Sequence, residues 1–251
     1  MIKIKRLYGL NEKYFDIIDS EEKAYWLGLL YADGCVYSKD KRYYIVLELK
    51  YDDKEHIKKF MKAIEAEHPI YETIKNGKKY VSVRIGSKYM FNSLCNLGCI
   101  PNKTLTLEFP DEGKVSKELI RHFMRGYFDG DGCLSLSNGF RKRPELKNPS
   151  KKKYPYKLWF FKVLGTKEFL EQYAVELGVK CNKLHCNAVG KNNYNLKYGG
   201  APKVHKLASF LYKDSSIYLN RKYNIYEQIS EQVELKNKQQ QKSIWYSLFP
   251  T

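Results

Sequence analysis

Two stretches, WLGLLYADGC at residues 26–35 and MRGYFDGDGC at residues 124–133, decide how this sequence folds. Four of their ten positions are identical: Gly28 and Gly126, Asp33 and Asp131, Gly34 and Gly132, Cys35 and Cys133. The other positions are mostly apolar or aromatic in both. Solenoid repeats recur every ~20–50 residues, and these copies stand 98 positions apart. That spacing implies a duplicated half-domain. Residues 24–32 are apolar nearly all round, which predicts a buried helix. Gly28 and Ala32, like Gly126 and Gly130, lie four apart and form a stripe where two helix backbones can approach closely. The duplication predicts that the two helices pack on one another about a pseudo-two-fold axis.

The surroundings repeat in the same order. RYYIVLELKY (42–51) alternates as a strand. DDKEHIKKFMKAIEAE (52–67) predicts a helix, and two strands follow at 69–75 and 78–86. Asn76-Gly77 between them is a hairpin signal. SKYMFNSLCNLG (87–98) predicts a helix closed by Gly98. In the second half, 154–164 predicts a strand and 166–178 a helix capped by Thr166 and Gly178. Residues 181–189 and 193–199 pair as strands, 203–213 form a helix, and another runs through 219–232. Each half therefore reads αββαββα, an α+β fold. The expected organisation is an N-terminal segment (1–20), two repeats (21–110 and 111–232) and a C-terminal tail (233–251) whose aromatic residues dock on the core.

The charge bounds the function. The 251 residues carry 45 Lys and Arg against 28 Asp and Glu, a net charge of +17. With 43% hydrophobic and 15% aromatic residues, this is a folded polyanion-binding protein rather than a disordered basic tail. The longest apolar run, 24–32, is far below the ~20 residues of a membrane span. The N-terminus lacks a secretory h-region, so an intracellular setting is expected, with six reduced cysteines. Cys95 and Cys99, or Cys181, His185 and Cys186, do not have the usual zinc spacing.

Asp33 and Asp131 fall at helix C-termini, where the dipole opposes a carboxylate by ~0.3–1 kcal/mol. Gly34 and Gly132 after them suit a left-handed helix-ending position. Two close helices would add repulsion between the carboxylates, which a divalent cation would offset. Mg²⁺ fits because it takes carboxylate and phosphate oxygens. Such an ion polarises a phosphodiester and activates water. The strands supply a nucleic-acid platform. Val81, Val83 and Ile85 should face the helices while Tyr80, Ser82 and Arg84 face outward, and Asn193, Asn195 and Lys197 form the polar set of the matching strand. Tyr44, Lys50, Lys75, Arg141 and Arg143 complete the expected DNA contacts, the arginines within a stretch (141–157) holding eight basic residues and one acid. A β-ribbon with such a face can enter a major groove.

With WLGLLYADG (26–34) and MRGYFDGDG (124–132) as two copies of a nine-residue motif, the sequence resembles the LAGLIDADG homing endonucleases, over nearly the whole chain. The resemblance implies a monomeric single-chain pseudo-dimer, with two antiparallel sheets forming a saddle around a central two-helix interface. It implies staggered cleavage of both strands of a long, asymmetric DNA site across the minor groove. Asp33 and Asp131 would bind two or more Mg²⁺ ions, with Mn²⁺ able to substitute, and the carbonyls of Ala32 and Gly130 would help. The resemblance also implies a basic residue near each active site. Aligning IPNKTLTL (100–107) with YLNRKYNI (218–225) pairs Lys103 with Arg221, with Lys222 one position on. The sixth motif position, Tyr31 and Asp129, reads as structural. Two other functions stand beside cleavage: an RNA maturase acting on a host intron, and a DNA-binding regulator that does not cleave. An intein is disfavoured, since the terminal residues that splicing chemistry requires do not occur here.

Overall fold

A computed structural model describes residues 7–141, 154–181, 184–187 and 190–248, with the side chains of 140, 141, 154 and 242–248 outside the description. The first half runs α1 (Glu21–Ala32), β1 (Gly34–Lys39), β2 (Arg42–Lys50), α2 (Lys54–Ala63), β3 (Ile70–Lys75), β4 (Lys78–Gly86) and α3 (Lys88–Asn96). The second runs α4 (Ile120–Asp131), β5 (Gly132–Arg141), β6 (Tyr154–Gly165), α5 (Lys167–Glu176), β7 (His185–Cys186), β8 (Tyr194–Gly199) and α6 (Ala201–Tyr212), followed by α7 (Asn220–Leu248). This is the expected α+β duplication. The two four-stranded sheets share one antiparallel topology, β1-β2-β4-β3 and β5-β6-β8-β7.

The motif helices form the centre. Residues 24–31 of α1 are buried, and so are 122–129 of α4. A Cβ on Gly28 would lie 2.0 Å from the Phe123 carbonyl oxygen, and one on Gly126 would lie 1.9 Å from that of Tyr25. Both distances are below any van der Waals contact, so each helix presents its glycine to the other's backbone. Each helix also carries its own sheet. The Phe128 ring stacks on Phe161 of β6 at 4.5 Å, while Ile45, Leu47, Val81, Val83 and Ile85 turn inward from the first sheet. The Asn76-Gly77 hairpin forms with both residues at positive φ, 50° and 72°, the requirement of a type I′ turn.

Several local expectations need correction. Gly34 and Gly132 are not left-handed: neither is among the positive-φ residues, and Gly132 is extended at φ −93°. Each opens a strand directly behind its helix. A Cβ at Gly34 would meet the Leu30 carbonyl oxygen at 2.5 Å, and one at Gly132 would meet that of Phe128 at 2.4 Å. Glycine is required there by the sharp return of the chain, not by its dihedral. Residues 51–53 form a 3₁₀ turn before α2, which ends at Ala63. The strand expected over 181–189 is a two-residue edge pair. The helix expected over 219–232 continues to Leu248, so the stretch set aside as a tail is helical through that residue. The side chains of its aromatic cluster lie outside the described residues. Among the described residues, no helix is long and apolar enough to cross a membrane.

Because the glycine contacts are to backbone, they cannot relax by a rotamer change. Gly126→Ala should lower stability by roughly 3 kcal/mol or more, read as a shift in the urea midpoint with an unchanged slope.

Candidate catalytic centre and nucleic-acid face

The helix packing brings the two motif carboxylates together. Asp33 caps α1, its N–H donating to the Leu29 and Leu30 carbonyls, and Asp131 is the last residue of α4. A Cβ on Gly130 would fall 2.3 Å from the Ala32 Cβ and 3.1 Å from Asp33 Oδ2. The end of one helix thus presses on the carboxylate of the other. Burial, then the charge of Asp131, pushes the Asp33 carboxyl up to about 6, against the pull of Lys222, Arg221 and Lys103. Burial also raises Asp131, opposed by Lys222, Lys103 and the Tyr127 hydroxyl. Two buried carboxylates at the negative ends of two helices make a site whose neighbouring cations do not fully offset the cost of their charge.

The basic residues take up different positions. Lys103 is buried and donates to the Gly34 carbonyl. Lys222 is buried too, and its ammonium donates to the carbonyls of Phe128 (2.6 Å), Asp129 (2.7 Å), Gly132 (2.6 Å) and, at longer range, Gly130 (3.3 Å). Burial brings its amine down to about 8. Gly34 and Gly132 are equivalent motif positions, so Lys222, not Arg221, is the counterpart of Lys103. The alignment on Asn102 and Asn220 is off by one for a geometric reason. Asn102 is left-handed at φ 57° before a 3₁₀ turn, whereas Asn220 begins a regular α-helix. Arg221 instead pairs with buried Asp53 of the first half, Nε to Oδ2 at 3.0 Å.

Two cavities open on the motif ends. One, of about 820 Å³, is lined by Ala32, Asp33, Gly130, Arg221 and Lys222 and spreads over the first sheet. The other, of about 130 Å³, is lined by Asp131, Lys103, Tyr127 and Asn193. A third, of about 550 Å³, is lined by acids including Glu108, Asp111, Glu112 and Glu168. It has the wrong charge for nucleic acid and contains no motif residue.

Register defines the outward sheet face. Val81, Val83 and Ile85 are buried, so Tyr80, Ser82 and Arg84 point away from the core, as do Tyr44, Val46, Glu48 and Lys50 opposite them. Lys50, Lys75, Tyr80 and Arg84 line the large cavity with Asp33, and Tyr44 and Arg84 line its continuation. Arg84 lies over the Tyr44 ring and Lys75 over that of Tyr80, at 5.9 and 5.7 Å. In the second sheet Lys197 is exposed and Asn195 half-exposed, between buried Leu196 and Tyr198. Asn193 precedes β8 and bonds to Asn187. Arg143 lies outside the described residues, and of Arg141 only the backbone, ending β5, is described.

The oxygen donors suit a hard divalent cation: two carboxylates raised chiefly by burial, beside the helix-end carbonyls of Ala32 and Gly130. No group of three or more His, Cys, Asp or Glu side chains poised for a metal occurs among the described residues. Carbonyl, water or phosphate oxygens would complete the coordination of such an ion. Asp129 is not part of this set. It is fully buried and accepts from Tyr25 (2.7 Å), Tyr212 (2.6 Å) and the Leu219 N–H (2.7 Å), tying α1, α6 and the start of α7 to α4. Arg125, also fully buried, bonds Glu21 and the Leu211 and Ile217 carbonyls. Neither the Arg125 network nor the Asp53–Arg221 pair, whose members are 168 residues apart, has a local signal in the sequence. Glu48 was visible, since it shares the alternation of Tyr44 and Lys50.

Comparison with known proteins is consistent with this geometry. Residues 118–207 match the family model of the LAGLIDADG-like domain. An uncharacterized protein of Methanocaldococcus jannaschii is 28% identical over 189 residues, covering 69% of this chain and 62% of that protein. The chain thus matches a little over three fifths of the length of this curated relative. The I-LtrWI LAGLIDADG homing endonuclease bound to target DNA is similar in fold, with a TM-score of 0.56, 13% identity and coverage of 90% of this chain and 92% of that one. The LAGLIDADG meganuclease I-CpaMI bound to uncleaved DNA gives a TM-score of 0.55, 11% identity and coverage of 92% and 97%.

The raised carboxyls make a stability prediction. A carboxyl whose folded pKa lies above its unfolded value costs stability once the pH exceeds the unfolded value. For Asp33 the penalty builds between pH ~4 and 6 and is complete above 6. Asp33→Asn should therefore stabilise the metal-free protein by about 1–3 kcal/mol at pH 7. The gain should shrink toward pH 4, as read by urea unfolding at both pH values.

Proposed function

We propose that this chain, whose residues 118–207 match the LAGLIDADG-like domain and whose fold is similar to that of LAGLIDADG homing endonucleases, is a site-specific endonuclease of double-stranded DNA. The observation that carries this reading is the convergence of Asp33 and Asp131, both intact, at the ends of two helices packed backbone to backbone. A binder that did not cut would gain by losing them, since each repels phosphate.

The proposed division of labour follows from the geometry. The repeats, 21–110 and 111–232, each present one sheet to one half of a long, asymmetric site, and the protein acts as a monomer. Lys50, Lys75, Tyr80, Arg84, Asn195 and Lys197 meet phosphates and base edges along the outward faces, and Tyr44 stacks behind Arg84. Asp33, Asp131 and the carbonyls of Ala32 and Gly130 would hold Mg²⁺, which would supply polarisation of the phosphodiester and a lowered pKa of water. In hydrolysis the water oxygen bonds to phosphorus and one P–O ester bond breaks. This leaves a hydroxyl on one side of the break and a phosphate monoester on the other. Lys222 and Lys103 hold the carbonyls behind the motif aspartates and supply positive charge next to them. Arg221, half-exposed and beside the Asp33 cavity, is placed to meet a phosphate.

Incubation with Mg²⁺ and a randomised duplex library, followed by sequencing of the broken ends, tests the reading. A recurrent long site with staggered ends is expected. Asp33→Asn and Asp131→Asn should each reduce cleavage by ~10²–10³ or more while retaining binding. Tight duplex binding by the unaltered protein without breaks would instead identify a regulator. Absence of both would leave the host intron RNA as the substrate to test.

A further inference from the structure

The outward face of the first sheet contains an anomaly. Its side chains, taken from register, are Cys35, Tyr37 and Lys39 on β1, Arg42, Tyr44, Val46, Glu48 and Lys50 on β2, Tyr71, Thr73 and Lys75 on β3, and Lys78, Tyr80, Ser82 and Arg84 on β4. Six are cations, and among these described positions one is an acid, Glu48. An acid on a face meant for a polyanion weakens attraction to phosphate. It is tolerable where the approaching group is a base edge rather than the backbone. Glu48 sits on β2, an interior strand of the sheet, where a duplex seated along the face would present its groove.

Glu48 is also already partnered. Lys75 reaches from the end of β3 across β4, over the Tyr80 ring, and its ammonium donates to both carboxylate oxygens, at 2.6 and 2.8 Å. At this exposure such a pair adds little stability. What it fixes is geometry: an acceptor and a donor held side by side, both pointing outward. The carboxylate has unused lone pairs and the ammonium unused protons. In the major groove a C·G pair presents that pattern in reverse. The cytosine N4 amino group donates, and the neighbouring guanine O6 and N7 accept.

We infer that Glu48 and Lys75 act as one reader of a C·G base pair, the carboxylate taking the cytosine N4 amino group and the ammonium taking O6 or N7 of the paired guanine. The inference rests on the DNA-cleaving reading above. The ion pair need not open on binding, so the complex forms without leaving either charge unpaired. Since both residues line the cavity that contains Asp33, the pair they read belongs to the part of the site near the break.

The test compares the unaltered protein, Glu48→Gln and the exchanged double variant Glu48→Lys with Lys75→Glu, in the same library cleavage with Mg²⁺. The expected profile has a C·G pair at one position near the break on one side of the site. Glu48→Gln should relax that preference about tenfold, with other positions unchanged. The exchanged variant keeps the ion pair but swaps donor and acceptor, so its preference should invert to G·C at the same position. A purely structural ion pair would be rescued by the exchange with no inversion. An unchanged profile in both variants, or a preference for A·T at the position affected, overturns the inference while leaving the nuclease reading intact. A library that yields no recurrent site for the unaltered protein overturns both. If the exchanged variant fails to fold, judged by its thermal unfolding, Lys75→Gln replaces it and should relax the same position.

Discussion

The contact between α1 and α4 is the constraint on which the rest of the structure depends. Gly28 faces the Phe123 carbonyl and Gly126 faces that of Tyr25, at separations only a hydrogen in place of a methyl permits. Interhelical distances are ordinarily 8–10 Å, set by the side chains at the crossing. Removing those side chains shortens the approach, and helix ends at which Asp33 and Asp131 sit converge as a result. Gly130 against Ala32 and Asp33 continues the same stripe to the end of the helices. The closeness that makes a good interface is therefore also what forces two carboxylates together.

The energetic consequence is opposed within the fold but not cancelled. Lys103 and Lys222 are buried; Lys103 donates to the Gly34 carbonyl and Lys222 to those of Phe128, Asp129 and Gly132, at or just past the helix ends. The Asp129 carbonyl is among the acceptors that a helix C-terminus leaves without an intrahelical partner, whereas Gly34 and Gly132 each open a strand. The lysines thus serve as caps delivered from distant parts of each repeat, and bring positive charge to the negative ends of the dipoles. Asp33 is nonetheless pushed up to about 6, so the site retains a demand for positive charge that a divalent ion can meet. Function and instability have a common origin here.

The two halves share topology but not chemistry. The interior of the second half is polar where that of the first is apolar. Arg125 stands at the position of Leu27, and Asp129 at that of Tyr31. Asp129 gathers hydroxyls from α1 and α6 and the N–H of Leu219, which precedes α7, and so fixes the helix that carries Lys222. Arg221 pairs with Asp53 across the halves, whereas Asn102, at the corresponding place in the first half, carries no cation.

The motif by itself determined a great deal. Apolar residues all round a helix, small residues four apart and a duplicated Asp-Gly ending imply packing, pseudo-symmetry and paired carboxylates. They do so because each follows from local periodicity and side-chain size. Alternation placed Val81, Val83 and Ile85 inward, and so identified Tyr80 and Arg84 as outward. The first strand of each sheet, β1 and β5, was not located by pattern, because the alternation in GCVYSK and GCLSLSNGFR is too short to stand out and the strands are defined by their pairing with β2 and β6. Why Gly34 and Gly132 are glycines is a local matter that only the folded backbone shows, since the atoms they avoid belong to the preceding helical turn. Tertiary structure decided the rest. It alone decided which of Arg221 and Lys222 matches Lys103, since a left-handed residue before a 3₁₀ turn and the start of an α-helix aim successive side chains differently. It also decided that Asp53 meets Arg221 and that Lys75 crosses a strand to Glu48. Local geometry is written in neighbouring residues, but which distant charges meet depends on how the two halves come together.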